Sequence, residues 1–355
     1  MRISGYEVET VDLPLVEGYR ITGKTITSCQ NHLVRVRSGK LQGIGSASPS
    51  VDVTGEDNAM CVAALTGPLA ELTNGFEMDD DPDAWSGRAF EVAAECPAAR
   101  AAVDMALWDL LAKKAAKPLV HLWGGAPKPI ATSVTIGICS VEQTLAEARQ
   151  WLAKRFHVLK IKIGEELEVD VERLRKLREL TGPDVLIRVD ANQGYDLQGA
   201  RHLLAQTAGL GIEMFEQPLP KADLKSLATL TAESDVPIVA DEAAGTVEEC
   251  LNVTDRNAAS GINIKLMKCG GPTPAWLIHD YAQAGGLSLM LGCNDETRIS
   301  IAAGVHLAQA MPGLVYADLD GHMDLASDPS SGGFSIRDGL MYLSDAPGLG
   351  ITLDT

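Results

Sequence analysis

From residue 133 onward the chain repeats a pattern that few folds satisfy. Short apolar, β-branched runs appear as SVTIGI (133–138), VLKIKI (158–163), LIRVDA (186–191) and MFEQP (214–218). They continue as IVADE (238–242), INIKL (262–266), LSLMLG (287–292) and VYADLD (315–320). Amphipathic segments lie between them; in VDVERLRKLREL one stripe carries Val171, Leu174, Leu177 and Leu180. Eight strands alternating with seven helical segments, at about 25 residues per unit, predict a (β/α) barrel of the α/β class. The runs are nearly continuously apolar, as strands covered on both faces must be, until each one ends.

Those ends carry charge. In order they are Lys160 and Lys162, Asp190, Glu216, Asp241, Lys265, and Asp318 with Asp320. The step from Lys162 to Asp190 is 28 residues, and the next three are 26, 25 and 24. Such regularity places one ionisable residue per unit at the barrel mouth, where these folds do their chemistry. Unpaired charges there cost several kcal/mol each, so packing does not explain the set.

Asp190, Glu216 and Asp241 on consecutive strands make a hard oxygen site with no His or Cys, suited to Mg²⁺ with Mn²⁺ as a stand-in. Lys160 and Lys162 alternate by two and both point inward, while Lys265 lies across the mouth. A Lys beside a divalent cation and a second Lys is expected to have a lowered pKa and to serve as a base. Two bases facing each other across a metal-bound carboxylate describe a racemase or epimerase.

Ahead of the barrel, the first 40 residues read as strands, with period-two positions in HLVRVRSG before a turn. Between about 56 and 116 the pattern is helical, clearest in CPAARAAVDMALWDLLAKKAAKP. WGGAPKP (123–129) is a Gly/Pro break and the expected domain boundary. The length of 355 residues, 46% hydrophobic, is enough for about two domains or a large barrel with an addition.

Forty-eight Asp and Glu against 30 Lys and Arg leave a net charge of −18, which disfavours nucleic acid and anionic membranes as partners. No run of 18 apolar residues predicts a membrane span. The start MRISGYEVETVDLP has no signal-peptide pattern. The seven cysteines are scattered, with no CxxC. A reducing cytoplasm is the expected location.

The motifs LKIKIG, RVDANQGY, FEQPL, ADEA and INIKLMKCGG, in this order and spacing, resemble those of the enolase superfamily, in particular its muconate lactonizing enzyme subgroup. AVDMALWDLLAKKAAKPLVHLWGG resembles that subgroup's linker helix, so the likeness spans nearly the whole chain. It implies an N-terminal α+β capping domain (1–128), a (β/α)7β TIM-like barrel (129–322) and a C-terminal segment (323–355) returning to the cap. It also implies one Mg²⁺ per subunit on Asp190, Glu216 and Asp241, with Lys162 and Lys265 as the acid/base pair. Lys160 becomes an electrostatic helper near the substrate carboxylate, and a homo-oligomer is expected.

Within the subgroup the chain looks most like the dipeptide epimerases, of the L-Ala-D/L-Glu epimerase type. ADLDGHMD carries Asp318 and Asp320 with period two, similar to the pairs that bind a dipeptide's α-ammonium in those enzymes. Thr135 and the loop residues Cys293, Asn294 and Asp295 resemble substrate-contacting positions. Lys24 stands where acidic-dipeptide epimerases carry Arg, and it lacks the bidentate fork. Glu17, Glu56 and Asp57 offer the opposite preference, for a basic side chain. The expected activity is Mg²⁺-dependent inversion of the second residue's α-carbon. An N-acylamino acid racemase, a proline-betaine racemase and a muconate-type cycloisomerase are alternatives using the same site, and a Schiff-base lyase is one from another class.

Overall fold

The computed structural model describes residues 1–78 and 82–354. Its N-terminal part opens with an antiparallel meander of β1 (Gly5–Ile21), β2 (Lys24–Ser38) and β3 (Leu41–Ala47). Helices Asn58–Thr66, Pro68–Thr73 and Asp83–Val92 follow, and then the long helix Pro97–Lys114. Pro97 sits in its first turn and Lys113 and Lys114 in its last, each favourable to that helix end. Ala98, Ala99, Ala101, Ala102 and Ala106 are all buried, so this helix lies close on β3. Gly43 and Gly45 of β3 complete the fit: a Cβ at either would strike the carbonyl oxygen of Ala106 or Ala102.

A short strand β4 (Ile130–Ala131) leads into the barrel of β5 (Val134–Ile136), β6 (Val158–Lys162), β7 (Leu186–Asp190) and β8 (Ile212–Glu216). It continues with β9 (Ile238–Ala240), β10 (Gly261–Lys265), β11 (Ser288–Gly292) and β12 (Leu314–Asp318). All eight expected strands form, parallel and in sequential order. The ring closes where Ser133 N–H donates to the Ala317 carbonyl at 3.1 Å. The barrel floor is plugged by Met214, Val239, Met290 and Tyr316, with the Arg188 guanidinium 5.0 Å above the Tyr316 ring. The mouth is therefore the open end.

The chain then returns. β13 (Ser330–Gly332) pairs with β16 (Ile351–Leu353), and β14 (Phe334–Arg337) with β15 (Leu340–Leu343), which also pairs with β4. Val16 N–H bonds the Asp324 carbonyl and Ala326 N–H the Pro14 carbonyl, both at 2.8 Å, stitching this tail to β1. Leu349 N–H reaches the buried Asp109 carboxylate at 2.7 Å. Among the described residues no helix is long and apolar enough to cross a membrane, and all seven cysteines are free.

Candidate active site

Parallel register sets the strand-end residues side by side: Lys162 opposite Asp190, Asp190 opposite Glu216, Lys265 opposite Gly292, and Gly292 opposite Asp318. Lys160, Asp190, Glu216 and Asp241 are buried. The Lys160 ammonium reaches Asp318 Oδ2 at 2.7 Å, Glu216 Oε2 at 2.8 Å and Asp190 Oδ2 at 3.0 Å. Lys162 donates to Asp190 Oδ2 at 2.7 Å and to Asn192 Oδ1 at 2.9 Å. Lys265 pairs with Asp241 Oδ2 at 2.8 Å. The lowered lysine pKa expected from the sequence belongs to a mouth that holds a divalent cation; the carboxylates alone act the other way on Lys265 and Lys160. Burial pulls Lys265 down, but Asp241, Glu216 and Glu242 outweigh it and hold the ammonium protonated. For Lys160, burial is likewise overcome, by Asp318, Glu216 and Asp190.

The three carboxylates answer to the same balance. Burial and Asp190 push Glu216 up to about 7. Burial works the same way on Asp190, but Lys162 and Lys160 bring it down to about 2, and Lys265 and Lys268 draw Asp241 lower still against its burial. Among the described residues no cluster of His, Cys, Asp and Glu forms a ready-made cation cage. The carboxylates are instead each paired with lysine. Their chemistry still fits a hard divalent cation: Glu216 Oε2 and Asp241 Oδ2 are buried and faced only by ammonium groups, whose positive charge a small cation replaces.

Above these residues lies a cavity of about 1040 Å³ between the barrel mouth and the cap. Lys160, Lys162, Lys265, Thr135, Cys293, Asn294, Asp295, Asp318, Asp320 and Lys24 all line it, so the structure brings together every expected substrate-contacting residue. Asp318 is not idle, however; it accepts from Lys160 and, at 2.6 Å, from Ser133, and these partners overcome its burial and lower its pKa. Asp320 accepts from Thr135 N–H at 2.7 Å, and burial beside Asp318 lifts it to about 7. Burial and the nearby Asp320 and Glu296 raise the Cys293 thiol far above its usual range, which makes it no nucleophile.

Lys24 is engaged elsewhere, 2.7 Å from Asp52 with both side chains about half exposed. All three cap acids, Glu17, Glu56 and Asp57, line the cavity. Asp57 caps helix Asn58–Thr66 through Met60 N–H, and Glu56 accepts from Ala98 N–H at the start of the long helix. Both caps leave less carboxylate for a ligand than the sequence suggested.

Other residues became visible only in the fold. Tyr19 of β1 donates to both oxygens of Asp295, at 3.0 and 3.1 Å. The main chain of Asp295 is held by Ser48 Oγ at 2.8 Å and Asn31 Nδ2 at 3.3 Å, so the cap positions this barrel-loop acid. Asp324 enters the cavity wall, and burial beside Asp320, Asp295 and Glu147 raises it to about 8. Lys268, one helical turn beyond Lys265, donates to Asp241. Its only sequence signal is the repeated Lys in KLMK. Ten acidic side chains and five lysines line the cavity, and three of those lysines are already bound to the strand-end carboxylates. The cavity wall is thus richer in acidic than in basic side chains.

This barrel with its acid and lysine mouth, closed by a meander-and-helix cap, defines a family. Residues 7–124 match the mandelate racemase / muconate lactonizing enzyme N-terminal domain and residues 143–355 the enolase C-terminal domain-like model, so the chain belongs to the enolase superfamily. Among individual proteins it is 44% identical to the L-Lys-D/L-Arg epimerase of Methylococcus capsulatus, over 99% of each chain. It is 38% identical to the L-Lys-D/L-Arg epimerase of Desulforapulum autotrophicum, again over 99% of each. The crystal structure of the M. capsulatus dipeptide epimerase complexed with Mg and L-Arg-D-Lys superimposes with a TM-score of 0.95 at 42% identity, covering 99% of this chain and all of that one.

Proposed function

We propose that this protein is a Mg²⁺-dependent dipeptide epimerase that favours dipeptides with cationic side chains. The observation that carries it is the pairing of two buried lysines, on β6 and β10, beneath a cavity whose uncommitted groups are carboxylates. Relatives named for Lys and Arg dipeptides, 38 and 44% identical, support the same choice.

Asp190, Glu216 and Asp241 would hold the metal, which when bound supplies positive charge for the substrate carboxylate and takes up the carboxylate charge that now keeps Lys265 protonated. Lys162 and Lys265 approach the α-carbon from opposite strands; one removes its proton and the other returns one to the opposite face. Lys162 is assigned to the R face and Lys265 to the S face. Lys160 sits at the floor of the mouth as a fixed positive charge. Asp318 and Asp320 receive the α-ammonium, and Asp324, Asp295 and Glu17 favour a cationic side chain further out. N-acylamino acids and muconates carry no α-ammonium, so they offer Asp318 and Asp320 no cation to receive. The free cysteines agree with a cytoplasmic protein. Exposed Leu277 and Tyr281 on one helix face agree with a homo-oligomer, and Mn²⁺ is expected to substitute for Mg²⁺.

Incubating pooled dipeptides in D₂O with Mg²⁺ tests the reading by mass spectrometry. One deuterium is expected at the second residue's α-carbon, fastest for Lys- and Arg-containing members and abolished by EDTA. A library without exchange, or equal exchange in N-acylamino acids, would overturn it.

A further inference from the structure

Four lysines stand at this end of the barrel, and three of them line the cavity. The fourth, Lys268, is 3% exposed and turned the other way. It belongs to the one-turn helix Leu266–Cys269 that follows β10, ended by Gly270 at φ +100°. Its ammonium has three N–H donors and uses all of them. They go to the Asp241 carbonyl at 2.6 Å, to Asp241 Oδ1, and to the Asn263 carbonyl at 3.0 Å. The side chain of that same Asn263 donates to Glu216 Oε1 at 2.7 Å.

Together these bonds decide which oxygens face the cavity. With Oδ1 and the main-chain oxygen of Asp241 both held, only Oδ2 is presented, and Lys265 meets it at 2.8 Å. With Oε1 of Glu216 held by Asn263, only Oε2 is presented, and Lys160 meets it at 2.8 Å. A carboxylate that ligates a cation through one defined oxygen needs a partner for the other, because free rotation costs entropy on binding.

We infer that Lys268 is a positioning residue for the divalent-cation site, orienting Asp241 directly and Glu216 through Asn263. The inference rests on the reading that Asp190, Glu216 and Asp241 hold Mg²⁺. It makes a directional claim, because an ammonium near the cation also repels it. If charge alone mattered, removing Lys268 would tighten Mg²⁺ binding; if orientation matters, removal weakens it.

The test is Mg²⁺ titration calorimetry on the purified wild type, Lys268→Met and Lys268→Arg, with melting temperatures recorded in EDTA. For Lys268→Met the expected result is Mg²⁺ affinity weaker by about 10–100-fold, the range seen when outer-shell partners of metal ligands are removed. Epimerisation should fall at limiting Mg²⁺ and recover much of its rate at saturating Mg²⁺. Lys268→Arg, which keeps cation and donors, is expected to stay within about fivefold of wild type. A folded Lys268→Met that binds Mg²⁺ as tightly as wild type, or more tightly, overturns the inference, as does a lower melting temperature with unchanged affinity. Should the Met variant not fold, the Arg variant decides alone: wild-type stability with affinity lost by tenfold or more overturns it. Wild-type protein that binds no Mg²⁺ at all would instead bring down the metal reading itself.

Discussion

Asp324 shows how one carboxylate reports on the whole cavity. Burial, with Asp320, Asp295 and Glu147 nearby, raises it to about 8, so it carries a proton at pH 6 and a charge at pH 9. A cationic dipeptide prefers the charged form. The apparent KM for Lys-containing dipeptides should therefore fall several-fold as pH rises from 6.5 to 8.5, and Asp324→Asn should flatten that dependence. A pH-independent KM in the wild type would remove Asp324 from substrate recognition. At Lys162 and Lys265 the expected outcome concerns chemistry: replacing either with Ala should lower epimerisation by about 10²–10⁴-fold. Each variant should keep deuterium exchange with one enantiomer and lose it with the other, as ¹H NMR of both isomers would show. The strand-end groups were legible because a 25-residue period repeats them. Tyr19, Asp295 and Asp324 were not legible as a group, since 276 residues separate Tyr19 from its partner Asp295 and only tertiary structure joins them. How many carboxylates each ammonium meets was not legible either, being a property of the folded mouth.

The elements of the cap depend on closeness. β3 carries Gly43 and Gly45 beneath the long helix, where a single methyl would strike the helix carbonyls of Ala106 and Ala102. Gly45→Ala should cost about 1–3 kcal/mol, the usual price of overpacking a filled core, and a urea or thermal melt measures it directly. The Arg20–Lys24 tip of the β1–β2 hairpin is tied to the barrel as well as to its own sheet. Arg20 forks onto Glu165 at 3.0 and 2.9 Å, Gly23 N–H joins the same carboxylate, and Thr22 bonds the carbonyls of Ile163 and Ala191. With Arg20 more than half exposed, its ion pair contributes little to global stability. Glu165→Gln should thus leave the melting temperature nearly unchanged yet raise KM several-fold, by loosening a wall of the cavity. Equal kinetics in the variant would mean the tip stays in place without the fork. Helix Pro97–Lys114 was legible from the helical pattern of its segment; its close packing on β3 was not, because nothing local announces which surface two glycines leave open.

For the molecule as a whole, the carboxylates predict an acid-shifted stability. Glu56, Asp104, Glu242, Glu296 and Asp320 are all raised to about 7, burial being the leading cause in each. Unfolded, the same groups ionise near 4. Between those values the unfolded chain binds fewer protons than the folded one, so stability declines as pH climbs from about 4 to 7. Asp190, lowered to about 2, and Asp318, also lowered, act oppositely and withdraw their contribution as pH falls below about 4. In EDTA the melting temperature should therefore peak near pH 4 and drop by pH 8, where added Mg²⁺ should raise it most. A melting temperature that climbs from pH 5 to 8 without metal would contradict these shifts. The eight-strand rhythm made the barrel readable from sequence, since each strand is buried on both faces and must be apolar until its end. The returning tail was less readable, being built of three- and four-residue strands.

The grip of Tyr19, Asn31 and Ser48 on Asp295 has an evolutionary consequence. Reaction and one part of recognition occupy separate stretches of one gene: the acids and bases end barrel strands, whereas the cap's share of the pocket wall comes from residues before position 60. A duplicated copy can acquire a new diet by substitutions in that first sixth of the chain, while every group that moves a proton is inherited unchanged. Swapping the segment 15–57 between relatives of different preference should accordingly transfer appetite without rebuilding the reaction.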